Sequence, residues 1–394
     1  MLRVLTLSTL FPDASRPTFG IFVERQTLEL AGHPDVELQV VAPIGVPPGP
    51  LKRHPRYRAR AAAPRFEQWK GLTVHRPRFP VIPLLGGRYS PAWLAWALRP
   101  LLREIRKSFP FDIIDAEFFF PDGPAAARLA KHLGVPFSIK ARGGDIHHWA
   151  SQPGCREQIV QAGREAGGLL AVSAALRQDM IALGLPAERI RVHYTGVDLE
   201  RFRPLDRAAA KQAVGVEGPL ILSVGHLIER KGHALAIDAM RGLPGATLLI
   251  VGEGALRSQL EAQIAAAGLG GRVRLLGPLP QDQLPELFAA ADAMVLPSAS
   301  EGLANVWVEA LACDTPIVIT DAGGAREVVD RPAAGRIVAR EATAIAAALR
   351  EILAAPPRQE EVRAAAERFT WSANRDALYA HLRGIITTSP AHPE

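Results

Sequence analysis

Only two cysteines, Cys155 and Cys313, occur in 394 residues. That is too few for a disulfide framework or a zinc site, and it fits a chain kept in a reducing compartment. Apolar runs are equally scarce. The longest, Pro80–Leu85 followed by Ala92–Leu98, is cut by Arg88 and by several Gly and Pro, short of the roughly 18 residues a membrane-crossing helix needs. The apolar N-terminus lacks a small-residue cleavage site and turns directly into Phe11-Pro12-Asp13, as a buried strand ends, so no export signal is read. No short-period repeat is visible. His147 and His148 have no third ligand at suitable spacing, and Asp112 and Asp115 are not spaced as a metal-binding Asp-x-Asp, so no metal site is expected. These absences predict a cytoplasmic chain, with contact at the inner face of the plasma membrane still open.

What is present is ample core material. Hydrophobic residues make up 48% of the chain and charged residues 22%, which excludes global disorder and, at about 150 residues per domain, predicts two or three domains. Charge is uneven. Residues 51–107 hold fourteen Lys and Arg against Glu67 and Glu104, a net of +12 in a chain of +6, so the remainder sums to −6. A basic field of this kind points to an anionic partner.

Short β-branched runs alternate with segments of helical period. Val4–Ser8, Leu38–Ala42, Ile113–Asp115, Pro136–Ile139, Gly168–Val172 and Ile190–His193 read as buried parallel strands. Helices fit between them at Phe22–Ala31, Ala92–Lys107, Pro124–Leu133 and Ala174–Leu183, and Pro100 should kink or split the second. Val46–Pro64, rich in Pro and Arg, reads as an exposed, mobile loop. The pattern pauses near residues 195 to 216, then restarts with strands at Leu220–Val224, Ala246–Val251, Val273–Leu276, Ala293–Leu296, Ile317–Thr320 and Gly335–Val338. The expectation is an α/β chain of two doubly wound, Rossmann-like parallel-sheet domains, 1–197 and 198–371, with a helical segment 372–394 returning to the first. The ligand site is expected in the cleft where the two face each other.

The most informative segment is Leu296-Pro-Ser-Ala-Ser-Glu-Gly-Leu-Ala-Asn-Val-Trp-Val-Glu309. It reads as strand, polar turn and helix. Glu301 sits in the turn and Glu309 about one turn inside the helix, with Gly302, Leu303, Ala304 and Asn305 bringing amides to a helix start that favours an anion such as a diphosphate. Around it stand Ser223-Val-Gly-His-Leu-Ile-Glu-Arg-Lys-Gly232, Val251-Gly-Glu-Gly254, Leu276-Gly277 and Ala291-Asp292. Together these blocks resemble, in order, those of the retaining glycosyltransferases of family 4, whose Glu-x7-Glu motif Glu301 and Glu309 match and whose fold is GT-B.

The resemblance implies a hexosyl transfer from a nucleotide-diphosphate sugar, as co-substrate and without a further cofactor or metal, to a saccharide or lipid-linked acceptor in cell-surface polysaccharide or glycolipid synthesis. It implies that Glu309 holds the donor ribose, that Glu301 contacts the donor sugar, and that Lys231 with Arg230 neutralises the diphosphate. Gly225, His226, Glu253 and Gly277 then line the donor site. In the first half, Gly20, at a loop-to-helix junction, would admit donor phosphates or acceptor, while Arg142 and Asp145 of Ile139-Lys-Ala-Arg-Gly-Gly-Asp145 would stand near the acceptor and the reacting bond. Gly20 as a turn residue, and Arg142 with Asp145 as a structural ion pair, are compatible readings too.

One departure is His226, where the family often has Arg, so Arg230 or Lys231 would carry more of the phosphate charge. A non-catalytic nucleotide- or polyanion-binding protein and a nucleotide-sugar epimerase are the alternatives. Residues 51–107 lack an aromatic-interleaved nucleic-acid motif, so no nucleic-acid partner is expected. Trp93 and Trp96, ahead of Arg99, Arg103, Arg106 and Lys107, suggest peripheral contact with an anionic membrane, or else core packing beneath solvated arginines.

Overall fold

Apolar, β-branched runs bounded by polar turns become central strands because parallel strands are covered on both faces, and the 3.6-period segments supply the cover. The computed structural model describes residues 1–82 and 87–388, Arg56 by its backbone alone. The apolar run from Pro80 continues into residues outside this set, as does the tail after 388. The chain divides into two units: Met1–Thr195 together with the chain from Trp371 onward, and Gly196–Thr370.

Unit 1 contains β1 (Leu2–Leu7), α1 (Ile21–Ala31), β2 (Val36–Val41), β3 (Ile44–Val46), α2 (Pro55–Ala62), β4 (Phe66–Trp69), β5 (Leu72–His75), β6 (Arg78–Pro80), α3 (Ser90–Ser108), β7 (Ile113–Ala116), α4 (Asp122–Leu133), β8 (Phe137–Ala141), α5 (Gly144–His147), α6 (Arg156–Glu165), β9 (Gly168–Ala171), α7 (Ala174–Ala182) and β10 (Ile190–Val192). Its sheet is ordered β10-β9-β8-β7-β1-β2-β5-β4, parallel except for β4, which pairs antiparallel with β5 at the edge.

Unit 2 contains α8 (Arg207–Ala213), β11 (Leu220–Val224), α9 (His233–Ala239), β12 (Thr247–Val251), α10 (Arg257–Ala266), β13 (Val273–Gly277), α11 (Leu284–Ala290), β14 (Ala293–Leu296), α12 (Asn305–Ala312), β15 (Ile317–Thr320), α13 (Ala325–Val328), β16 (Gly335–Val338), α14 (Ala342–Ala354) and α15 (Gln359–Ala364). Its six parallel strands are ordered β13-β12-β11-β14-β15-β16, the doubly wound arrangement. The last helix, α16 (Trp371–Thr388), lies on unit 1, where Leu378, Leu382 and Ile385 join Leu2, Val4, Ile113 and Leu170 in one apolar cluster.

Two expectations are corrected. Val46–Pro64 is not an irregular loop: it holds a 3-10 turn at Gly49–Arg53 and then α2, whose C-terminal end is fastened by Arg78 of β6, which donates to the carbonyls of Ala61 and Ala63. Pro100 does not split its helix, since α3 runs through it from Ser90 to Ser108. Pro100 is exposed, and the missing N–H would have met the carbonyl of exposed Trp96, a group that water can satisfy. Strands β3 to β6 and helices α5, α6, α8 and α13 add to the elements read from periodicity.

Candidate active site

In an open parallel sheet, ligands meet the carboxyl ends of the strands where the strand order reverses. In unit 2 that point lies between β11 and β14. The loop after β11 carries Gly225, His226, Arg230 and Lys231, and the loop after β14 carries Glu301 to Ala304 into α12. The two loops meet directly. Lys231 Nζ lies 2.5 Å from Glu301 Oε1, and Arg230 Nη1 lies 3.2 Å from the same oxygen while also donating to the Ser300 carbonyl. Lys231 and Glu301 are 11% and 9% exposed and Arg230 is 44% exposed, so the pair sits at the surface of the core with one cation reaching outward. Two cations thus converge on one carboxylate. Beside them α12 starts at Asn305 without a side-chain cap, so its first-turn amides and dipole favour an anion at the same place.

Glu309, buried inside α12, accepts from Gln281 Nε2 at 3.4 Å. His226 and Glu253 are exposed at the rim. Their loops are joined through the backbone, since the Gly225 amide donates to the Val251 carbonyl at 2.9 Å and the Leu227 amide to that of Glu253 at 2.8 Å. Gly277, ending β13, accepts from the Gly252 amide at 2.9 Å. Among the described residues, no group of three or more His, Cys, Asp or Glu could hold a metal ion.

Sequence reading missed the residues that hold these loops. Gly323, with φ of 54°, packs so closely that a Cβ there would lie 2.1 Å from the Glu301 carbonyl oxygen, and the Gly324 amide donates to the Gly302 carbonyl at 2.8 Å. Paired glycines, separated from the end of β15 by two residues, were the available signal. Arg340 donates from Nε to the Pro297 carbonyl at 3.0 Å and from Nη2 to that of Glu229 at 2.9 Å, tying together the loops of Glu301 and Lys231. Nothing local in the sequence marks it. Burial pushes His233 down to about 4, so it is neutral where it opens α9, its Nδ1 3.0 Å from Ser223 Oγ.

Unit 1 treats its three candidates differently. Gly20 is a helix-start glycine with φ of 68°, and a Cβ would lie 1.6 Å from the Leu10 carbonyl oxygen, so the fold itself requires glycine there. Asp145 is fully buried rather than facing an open site. Its carboxylate accepts from the amides of Phe119 (2.8 Å), Arg142 (2.9 Å), Gly143 (2.8 Å) and Ile146 (3.2 Å), which makes it a clamp on the loop after β8. Arg142 does not pair with the Asp145 carboxylate through its guanidinium. It forms a buried ion pair with Glu117, donates to the Glu117 carbonyl at 2.8 Å and lies 4.7 Å over the Phe22 ring. Around this pair Gln26 bridges Glu117 and Lys140, and Lys140 Nζ lies 2.7 Å from His193 Nδ1. The unit 1 candidates are thus packed into or against the interior, and those of unit 2 converge on the start of α12.

The pattern has known relatives. The chain matches the family described as "Glycosyltransferase Family 4" over residues 26–201 and that described as "Glycosyl transferases group 1" over residues 206–369. It is 32% identical to the D-inositol 3-phosphate glycosyltransferase of Frankia alni, over 76% of this chain and 81% of that one. It is 27% identical to the putative teichuronic acid biosynthesis glycosyltransferase TuaC of Bacillus subtilis, over 88% of each. Among solved structures, the sucrose-phosphate synthase of Thermosynechococcus elongatus superposes with a TM-score of 0.82 at 20% identity, covering 99% of this chain and 100% of that one. Anabaena HepE in complex with UDP-glucose gives 0.74 at 21% identity, covering 98% and 100%. The chain belongs to the group 1, family 4 glycosyltransferases and has the GT-B fold of two Rossmann-like domains.

Proposed function

We propose that this glycosyltransferase is retaining and metal-independent, takes a nucleotide-diphosphate sugar as donor, and transfers a hexose to a saccharide or lipid-linked acceptor in the assembly of a cell-surface polysaccharide or glycolipid. The observation that carries this reading is the convergence of Lys231 and Arg230 on Glu301 beside the uncapped start of α12. As the anomeric C–O bond to the diphosphate breaks, negative charge grows on the leaving oxygen, and preorganised cations and amides are worth most where that charge develops. The acceptor hydroxyl forms the new C–O bond on the same face, and its proton passes to the departing phosphate oxygen, so no separate base is needed. Glu301, held by Lys231, would receive the donor sugar's hydroxyls, and Glu309, held by Gln281, the ribose. The relative named for teichuronic acid and the neighbour crystallised with UDP-glucose support a polysaccharide product and a nucleotide-sugar donor.

The test is a thermal-shift panel of UDP-, GDP- and ADP-sugars on the purified chain, followed by nucleotide-diphosphate release with saccharide and lipid-linked acceptors in the presence of EDTA, and determination of the anomeric configuration of the product. A cognate sugar that raises the melting temperature, and EDTA-resistant transfer with retention, are expected. Inversion at the anomeric carbon, or transfer abolished by EDTA, would overturn the mechanism.

A further inference from the structure

Among the fourteen cations of residues 51–107, two groups stand out. One group serves the fold. Arg76, 1% exposed, pairs with Glu67 and donates to the Pro12 carbonyl; Arg78 fastens α2; Arg106 donates to the Leu133 carbonyl. Lys70 pairs with Glu24 at 2.9 Å and Lys107 with Glu104 at 2.7 Å. The other group is gathered on the turn Gly49–Arg53, on α2 and just beyond it, where Lys52, Arg53, Arg58 and Arg65 are exposed. No described side chain of this turn or helix is buried, and no acidic residue occurs between Glu37 and Glu67. An eight-residue helix with like charges and no packed apolar face has little stability of its own, and here Arg78 holds it to β6 from behind. At its two flanks Leu51 is 51% exposed and Phe66 is 55% exposed.

We propose that the turn Gly49–Arg53 and α2 form a docking surface for an anionic lipid bilayer. The cations match a surface of anionic headgroups, and Leu51 and Phe66 can enter the acyl boundary, where a hydrated polyanion would offer them nothing. The proposal stands apart from the donor reading, because binding to lipid needs neither donor nor acceptor.

Flotation of the whole chain with vesicles tests it. Binding is expected to phosphatidylcholine mixed with phosphatidylglycerol, not to phosphatidylcholine alone, and it should be lost at high salt. The variant K52E/R53E/R58E should bind the mixed vesicles at least about tenfold more weakly. The variant R241E/R274E/R358E, with the same change of charge on exposed unit 2 positions, should bind as the parent does. L51S/F66S should weaken binding severalfold. Unchanged melting temperatures establish that each variant is folded. Parent-like binding by K52E/R53E/R58E, or equal loss in the unit 2 control, overturns the proposal. So does loss in W96A with retention in K52E/R53E/R58E, since Trp96, 71% exposed, stands on α3. Parent-like binding by L51S/F66S together with full displacement by heparin would identify a polyanion site instead.

Discussion

The two units are wound alike and place different charged groups at the same topological point. Each sheet reverses its order between its first strand and the one beginning the second half of the series, β1 against β7 in unit 1 and β11 against β14 in unit 2. In unit 2 that point has two cations on one carboxylate beside an open helix start. In unit 1 the four buried carboxyl groups Asp115, Glu117, Asp122 and Asp145 share one charged cluster with Lys140 and Arg142. Burial opposes charge of either sign in this cluster. Burial, and then the neighbouring Glu117, raise Asp115 well above the carboxylate range, and burial raises Asp122 to about 7 and lowers Lys140 to about 7. One architecture thus carries a sealed internal charge cluster in one unit and a partly exposed ion pair beside an open helix start in the other, and the side chains rather than the fold decide which.

Breaking the unit 1 cluster should have the largest effect. Arg142→Met leaves Glu117, 1% exposed, without its cation and should lower the unfolding free energy by about 3–5 kcal/mol, read by denaturant titration. If unit 1's charges are structural, donor affinity in the folded fraction stays at the parent value. Lys231→Ala and Glu301→Ala should each reduce turnover at least about tenfold with little change in melting temperature. Near-parental transfer by either would remove that residue from the mechanism.

A smaller effect sharpens the contrast through pH. Asp122 has a folded value of about 7 against an ordinary 3.8, so its contribution is fully present below about 4 and is lost as pH rises through about 7. Asp122→Asn should flatten that part of the melting-temperature profile, and an unchanged slope between pH 4 and 7 would show that Asp122 ionises normally. The smallest effect is expected at Arg340. Arg340→Gln should raise KM for the donor a fewfold while melting stays near the parent's, because it loosens two loops without touching the ion pair itself.

Unit 2 was largely legible because most of its strands are short apolar runs and the longer helices after them have a clear period, whereas the short α8 and α13 carry none. Residues 46–80 were not. Strands β3 to β6 are only three or four residues long, and β4 lies at the sheet edge with alternating exposure, which periodicity cannot separate from a loop. At the site, the spacing of Glu301 and Glu309 and the Lys-Gly before α9 were visible as local patterns. The partner of Arg142 was not, since Glu117 lies 25 residues earlier and meets it only when β7 and β8 pair. Arg340 was invisible for a related reason: it acts on main-chain carbonyls 43 and 111 residues away, which bear no residue-type signature.

The placement of α16 has a consequence for biosynthesis and for engineering. Unit 2 is one uninterrupted stretch of chain, able to leave the ribosome whole, whereas the face of the first sheet over Leu2, Val4 and Ile113 waits for the last helix to be made. A fragment ending at Thr195 would expose that apolar face to water and aggregate, while a fusion joining residue 195 directly to 371 would restore it.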